Sequence, residues 1–245
     1  MDDGYLLCAS PRSGSTLLCD LLIRTGAVGE PRSYFREPSI ARYARSWGLV
    51  DDERSWGAEY AAAVRRHGAG SSGRFGMRIM WRDLPGVLAR LERWTPAEQG
   101  QAEVLRAAFG VTRYVHLSRD DALAQAVSLT LAQQTGLWHR NADGSDRERH
   151  GAPTEPRYDR TQIADALRMM EHERRGWAGW FAANDIEPLA VTYEQLAVDP
   201  AATTTRVLAH LGRPDVEVPE VGTARLSTEL NARWCERFRN ESVAS

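Results

Sequence analysis

Lysine is missing: all 31 basic residues of this 245-residue chain are arginine. Coding bias toward GC-rich codons accounts for the exchange in bulk, yet it has a chemical consequence. Any bound anion must be met by a guanidinium, an imidazole, backbone N–H groups or a helix N-terminus. The absence also excludes the GxxxxGK[ST] phosphate loop, whose lysine reaches the outer phosphates of ATP or GTP. Cysteine is scarce. Cys8, Cys19 and Cys235 show no CxxC spacing, which excludes a zinc knuckle or a disulfide framework and fits a reducing compartment. The six histidines form no HxxxH pair, so no metal is predicted. No run approaches the roughly 20 apolar residues of a membrane span. The opening Met1-Asp2-Asp3-Gly4 lacks the basic start of a signal peptide. These absences predict a cytoplasmic protein without stable membrane insertion. A formal net charge of −2 argues against nucleic acid as a partner.

What is present reads as alternating strands and helices. Tyr5–Ser10, Phe75–Trp81, Val111–Ser118 and Pro188–Thr192 are apolar or β-branched runs of strand length, and Val28–Pro31 is read as a further short strand or strand end. Helical spacing falls over 13–26, two stretches within 36–67 (including Trp56, Tyr60 and Val64), 84–94, 101–109, 121–135, 200–212 and part of 225–239. The longest helix begins at a cap supplied by Asp159 or Thr161 and carries Ile163, Leu167, Met170, Trp177 and Phe181. The alternation predicts an α/β fold, a parallel sheet flanked by helices in three layers. Residues 1–245 are read as one domain, with a mobile loop around 138–158 that is rich in Gly, Pro, Asp and Arg.

The most informative segment is Leu7-Cys8-Ala9-Ser10-Pro11-Arg12-Ser13-Gly14-Ser15-Thr16-Leu17-Leu18. A strand running through a short turn into a helix aims successive N–H groups at one point beyond the strand's carboxyl end. Gly14 lets the backbone approach a phosphate closely. Ser13, Ser15 and Thr16 add hydroxyls, and Arg12 a bidentate cation. A second anion corner follows the strand 111–118: Arg119 stands just past its end, and Ser128 about two and a half helical turns later. Two such corners suit a nucleotide with phosphates at both ends of its ribose.

With these segments in hand, the chain resembles the sulfotransferases that use 3′-phosphoadenosine 5′-phosphosulfate (PAPS), in particular the bacterial branch typified by mycobacterial trehalose 2-sulfotransferase. The likeness rests on Ser10–Leu18, Gly29-Glu30-Pro31 with Phe35, Phe75–Trp81, Arg119–Ser128 with Trp138, Val191–Leu196 and Trp234–Phe238. It implies a P-loop-like sulfotransferase architecture, PAPS as co-substrate and a small-molecule acceptor such as a sugar or secondary metabolite, taken at a hydroxyl or, less readily, an amine. By the same likeness Arg12–Thr16 hold the 5′-phosphosulfate, Arg119 with Ser128 the 3′-phosphate, and Arg78 stands where the relatives carry Lys. The likeness fails at one place. The relatives' second acidic residue after Gly-Glu-Pro, their proposed base, is Ser33 here, so trehalose is not implied as the acceptor.

Sulfuryl transfer then needs cations on the leaving phosphate, supplied by Arg12 and Arg78, and a base for the acceptor. Glu30 is the first candidate and Glu37 the second, followed by Asp83 and His116; His116, between Val115 and Leu117, reads better as a core residue. Trp47, Trp56, Trp81, Trp138 and Tyr34 are candidates to line an acceptor pocket. Two other readings stay open: an ATP-dependent phosphotransferase of P-loop-like fold, and a catalytically inactive nucleotide-binding module. A homodimer is also left open.

Overall fold

The computed structural model describes residues 3–49, 57–94, 100–140, 145–219 and 229–243. Strand β1 (Gly4–Ala9) lies between β2 (Gly76–Met80) and β3 (Val111–Ser118), and β6 (Leu189–Thr192) borders β3, giving the parallel order β2-β1-β3-β6. Every residue of β1 is buried, as expected for a central strand covered on both faces. Ala9 pairs with both Met80 and Leu117, and Ser118 with Thr192. The carboxyl ends therefore align, and the loops that leave them open on one edge, where ligands of such sheets bind.

The two-residue period of β1 sorts its side chains between two cores. Leu6 and Cys8 join Met77, Ile79, Tyr60 and Trp177 beneath helices α3 (Gly57–Ala69), α4 (Leu84–Trp94), α5 (Gln101–Phe109) and α7 (Arg160–Ala183). Tyr5, Leu7 and Ala9 face the other way, onto Leu18 and Leu22 of α1 (Ser15–Thr25) and Val207 of α9 (Pro200–His210). A third cluster joins α6 (Ala122–Thr135) to α7 and to α10 (Glu229–Val243) through Val127, Met170 and Trp234. Asp159 caps α7, its carboxylate accepting from Gln162 N at 2.9 Å. Cys8 and Cys19 are buried thiols, and burial pushes Cys19 up to about 11.

Two expectations change. Residues 28–31 form no strand: Gly29 is left-handed (φ +76°), and only Arg32 bridges Met77. Residues 138–158 are not all loop, because β4 (Leu137–Arg140) and β5 (Asp146–Arg149) pair as an antiparallel hairpin. Their many charged residues hide strands that, among the described residues, pair as a two-stranded sheet. The short helix α8 (Tyr193–Val198) starts on a reciprocal cap between Thr192 and Gln195. Helix α2 (Glu37–Ser46) completes the elements near the site, and Trp56 lies outside the described residues. Among the described residues no helix is long and apolar enough to cross a membrane.

His116 in β3 packs against the rings of Phe181 (5.3 Å) and Trp177 (6.3 Å), and burial lowers it to about 4. The folded chain therefore keeps this imidazole neutral, while the unfolded chain protonates it near pH 6.5. Its contribution is complete above pH 6.5 and is lost as pH falls toward 4, a difference of up to about 3 kcal/mol. His116→Phe is expected to flatten that part of the acid loss. Urea unfolding at pH 7 and pH 4.5 measures it, and equal losses in wild type and variant would count against it.

Candidate active site

The turn after β1 is held from below. The Trp177 indole N–H donates to Ala9 O at 3.1 Å, Ser13 Oγ donates to Ser10 O at 2.8 Å, and Gln125 Nε2 donates to Pro11 O at 2.7 Å. Arg12 is left-handed (φ +63°), a conformation that costs a non-glycine residue about 1 kcal/mol or more and persists where the surroundings impose it. Gly14 is left-handed too, and a Cβ there would stand 2.9 Å from the Tyr193 ring. Glycine is thus required by both backbone and neighbour. Helix α1 begins at Ser15 without a side-chain cap, leaving its first N–H groups to the loop.

Two guanidiniums meet over this turn. Arg12 Nε donates to Ser128 Oγ at 3.0 Å and its Nη1 to Trp138 O at 2.5 Å. Arg119 Nη1 donates to Arg12 O at 3.4 Å, and Arg119 lies 4.3 Å over the Tyr193 ring. Burial, and then the neighbouring Arg119, bring Arg12 down to about 10. Among the described residues Arg119 Nε is buried without a hydrogen-bond partner; the Glu194 carboxylate, 4.0 Å away, forms an ion pair beyond hydrogen-bond reach. That carboxylate instead accepts from the Asp120 and Asp121 backbone N–H groups. Two crowded cations, a buried donor without a hydrogen bond among the described residues and an uncapped helix start fit a multiply charged anion. The two corners read separately from the sequence converge on Arg12, which touches Ser128 directly.

From β2, Arg78 reaches the start of α1. Its Nη1 donates to Thr16 Oγ1 at 3.0 Å and Ser15 Oγ at 3.4 Å, and its Nε to Ser33 Oγ at 2.8 Å. Beside it opens a cavity of about 480 Å³, lined by Thr16, Ser33, Arg36, Tyr43 and Arg78 on one side and by His139, Glu148, Arg149 and His150 of the hairpin on the other. Thr16 Oγ1 and His139 Nε2 share a hydrogen bond at 3.2 Å. The Glu148 carboxylate stands 3.4 Å from His139 Nε2, 3.3 Å from His150 Nε2 and 3.4 Å from Arg36 Nη1.

The expected bases Glu30 and Glu37 are ion-paired outside the lining of this cavity. Glu30 is paired with Arg32 at 3.0 Å and packs beside Gly70, and Glu37 is paired with Arg90 at 2.6 Å. Neither lines this cavity. Burial raises Asp83, and His116 sits in the core described above. Among the aromatic candidates, Tyr34 is buried with its hydroxyl on Glu30 O, Trp47 stacks on His67, and Trp81 packs edge-on to Trp177. Trp138 contributes a backbone carbonyl, and Tyr43 is the aromatic residue on the cavity wall. Among the described residues no group of three His, Cys, Asp or Glu is placed to hold a metal ion.

An α/β sheet with an arginine-flanked, glycine-containing turn at its carboxyl edge suits a phosphate or sulfate group. The Stf0 sulphotransferase family model matches residues 4–241, and the chain belongs to that family. It is similar to trehalose 2-sulfotransferase of Mycobacterium tuberculosis (strain ATCC 35801 / TMC 107 / Erdman), at 28% identity over 97% of this chain and 95% of the relative. The trehalose 2-sulfotransferase of Mycolicibacterium smegmatis (strain ATCC 700084 / mc(2)155) is likewise 28% identical, over 97% and 95%.

Proposed function

We propose that residues 1–245 act as one cytoplasmic sulfotransferase domain that moves a sulfuryl group from PAPS to a hydroxyl of a small acceptor. The observation that supports this most is the Arg12–Arg119 pair over an uncapped helix start, with Arg119 Nε buried and making no hydrogen bond among the described residues. In this reading Ser13, Gly14, Ser15 and Thr16 meet the 5′-phosphosulfate with Arg12, while Arg119 and Ser128 meet the 3′-phosphate. Arg78, between Thr16 and Ser33, stabilises negative charge as it moves onto the leaving phosphate. Positioning and fixed cations supply most of such catalysis. The curated relatives' names make a sugar hydroxyl the first acceptor class to test, and Ser33 is the reason not to assume trehalose.

Calorimetry with 3′,5′-adenosine bisphosphate tests the donor site. Arg12→Ala and Arg119→Ala are each expected to weaken binding by about 1.5–3 kcal/mol, the scale of a charge-assisted hydrogen bond. Removing the nucleotide's 3′-phosphate should weaken wild type and matter little once Arg119 is gone. Unchanged affinity in both variants, or a preference for ATP, would overturn the reading in favour of a phosphotransferase.

A further inference from the structure

We infer that Glu148, carried by the β4–β5 hairpin, takes the proton of the acceptor hydroxyl; this rests on the sulfuryl-transfer reading above. The acidic position that the resemblance places after Gly-Glu-Pro is Ser33, and its hydroxyl is occupied in anchoring Arg78. A hydroxyl of ordinary acidity attacking sulfur still needs a proton acceptor on the side of the cavity facing the donor loop. The carboxylates lining that cavity are Asp20 and Glu148. Asp20 lies one helical turn beyond Thr16 on α1, further from the anion loop. Glu148 is linked to it by one residue: its carboxylate is 3.4 Å from His139 Nε2, which is 3.2 Å from Thr16 Oγ1, the atom that accepts from Arg78.

The surroundings of Glu148 suit the task. Arg36 and His150 contact Oε1 and His139 contacts Oε2, so the carboxylate is positioned from the α2 side and from the hairpin alike, yet about a third of the side chain stays open. The hairpin is set tightly. His150 N donates to Gly136 O at 2.8 Å, and Gly136 (φ +68°) would drive a Cβ into His150 O. In the reaction the acceptor O–H bond breaks with its proton passing to a Glu148 oxygen. The acceptor oxygen's electron pair forms the new O–S bond, and the S–O bond to the donor's 5′-phosphate breaks, its pair leaving on a phosphate oxygen beside Arg78. The proton then leaves Glu148 for solvent.

The test follows ³⁵S-labelled PAPS with trehalose and with water alone as acceptors, so no natural acceptor need be known. Glu148→Gln is expected to lower kcat at least a hundredfold while 3′,5′-adenosine bisphosphate affinity stays within about threefold, the pattern of a group acting on the acceptor's proton. Formate added to Glu148→Ala should restore part of the rate, which a merely structural carboxylate would not allow. Full rate in Glu148→Gln overturns the assignment. So does a loss confined to Glu30→Gln or Asp20→Asn, or loss of nucleotide binding in Glu148→Gln. Wild type that binds the nucleotide tightly but passes label to neither acceptor also overturns it and leaves the nucleotide reading standing. Wild type that fails to bind the nucleotide overturns the reading underneath.

Discussion

Replacing Arg78 by alanine is expected to lower kcat for sulfuryl transfer by about 10²–10³-fold, the loss seen when one preorganised donor to developing charge is deleted. Arg78 is placed for this by three hydroxyls, those of Ser15, Thr16 and Ser33, which together leave its guanidinium little freedom. A fixed cation need not reorganise as charge moves from sulfur to the bridging oxygen, and that is where its effect on rate arises. Ground-state charge on the bound donor changes less, so KM for PAPS should rise by less than about tenfold. Arg78→Lys keeps the charge but loses the fork that spans Ser33 and Thr16, and an intermediate rate is expected. Steady-state kinetics with labelled donor separates the two parameters. An unchanged kcat in Arg78→Ala would remove the residue from the mechanism, and a change in KM alone would make it a binding residue.

In the proposed reading the chain announces the donor side of the site and conceals the acceptor side, for physical reasons. The run through Leu7 is legible because a strand buried on both faces is a continuous apolar segment, and Val111–Ser118 because of its β-branched and aromatic content. The turn Arg12–Thr16 is readable because phosphate loops demand glycine and hydroxyls at fixed offsets. Glu148 carries no comparable signal. It lies in Asp-Arg-Glu-Arg, where alternating charges look like a solvated loop, and it becomes a site residue only when the hairpin folds against α2 and α1. Glu30 is the opposite case: its place at the end of an apolar stretch is a signal readable in the sequence, and in the fold the chain turns at Gly29 and the carboxylate pairs with Arg32. Tyr193 was visible only as part of a resembling motif. Its ring lies against Gly14 and carries the Arg119 guanidinium over its face.

Trp177→Ala is expected to destabilise the fold by about 3–5 kcal/mol, the range for deleting a large buried aromatic. For a chain of this size that lowers Tm by roughly 10 °C. Trp177 is fully buried, stacks on Phe181 (5.4 Å), meets Trp81 and Trp180 edge-on, and binds α7 to the sheet. Its indole N–H also donates to Ala9 O, the last strand carbonyl before the anion loop. Packing and loop support can be told apart with Trp177→Phe. That variant keeps most of the ring contact but leaves Ala9 O without its donor, at a cost of about 1–3 kcal/mol. Because the freed carbonyl sits three residues before Arg12, its loss should loosen the loop as well as the core. Calorimetry with 3′,5′-adenosine bisphosphate, well below the variant's Tm, is expected to show at least a several-fold weakening in Trp177→Phe. If Trp177→Phe is destabilised yet binds the nucleotide as wild type does, the tryptophan supports the core alone, and the loop geometry is maintained by the Ser13–Ser10 and Gln125–Pro11 hydrogen bonds.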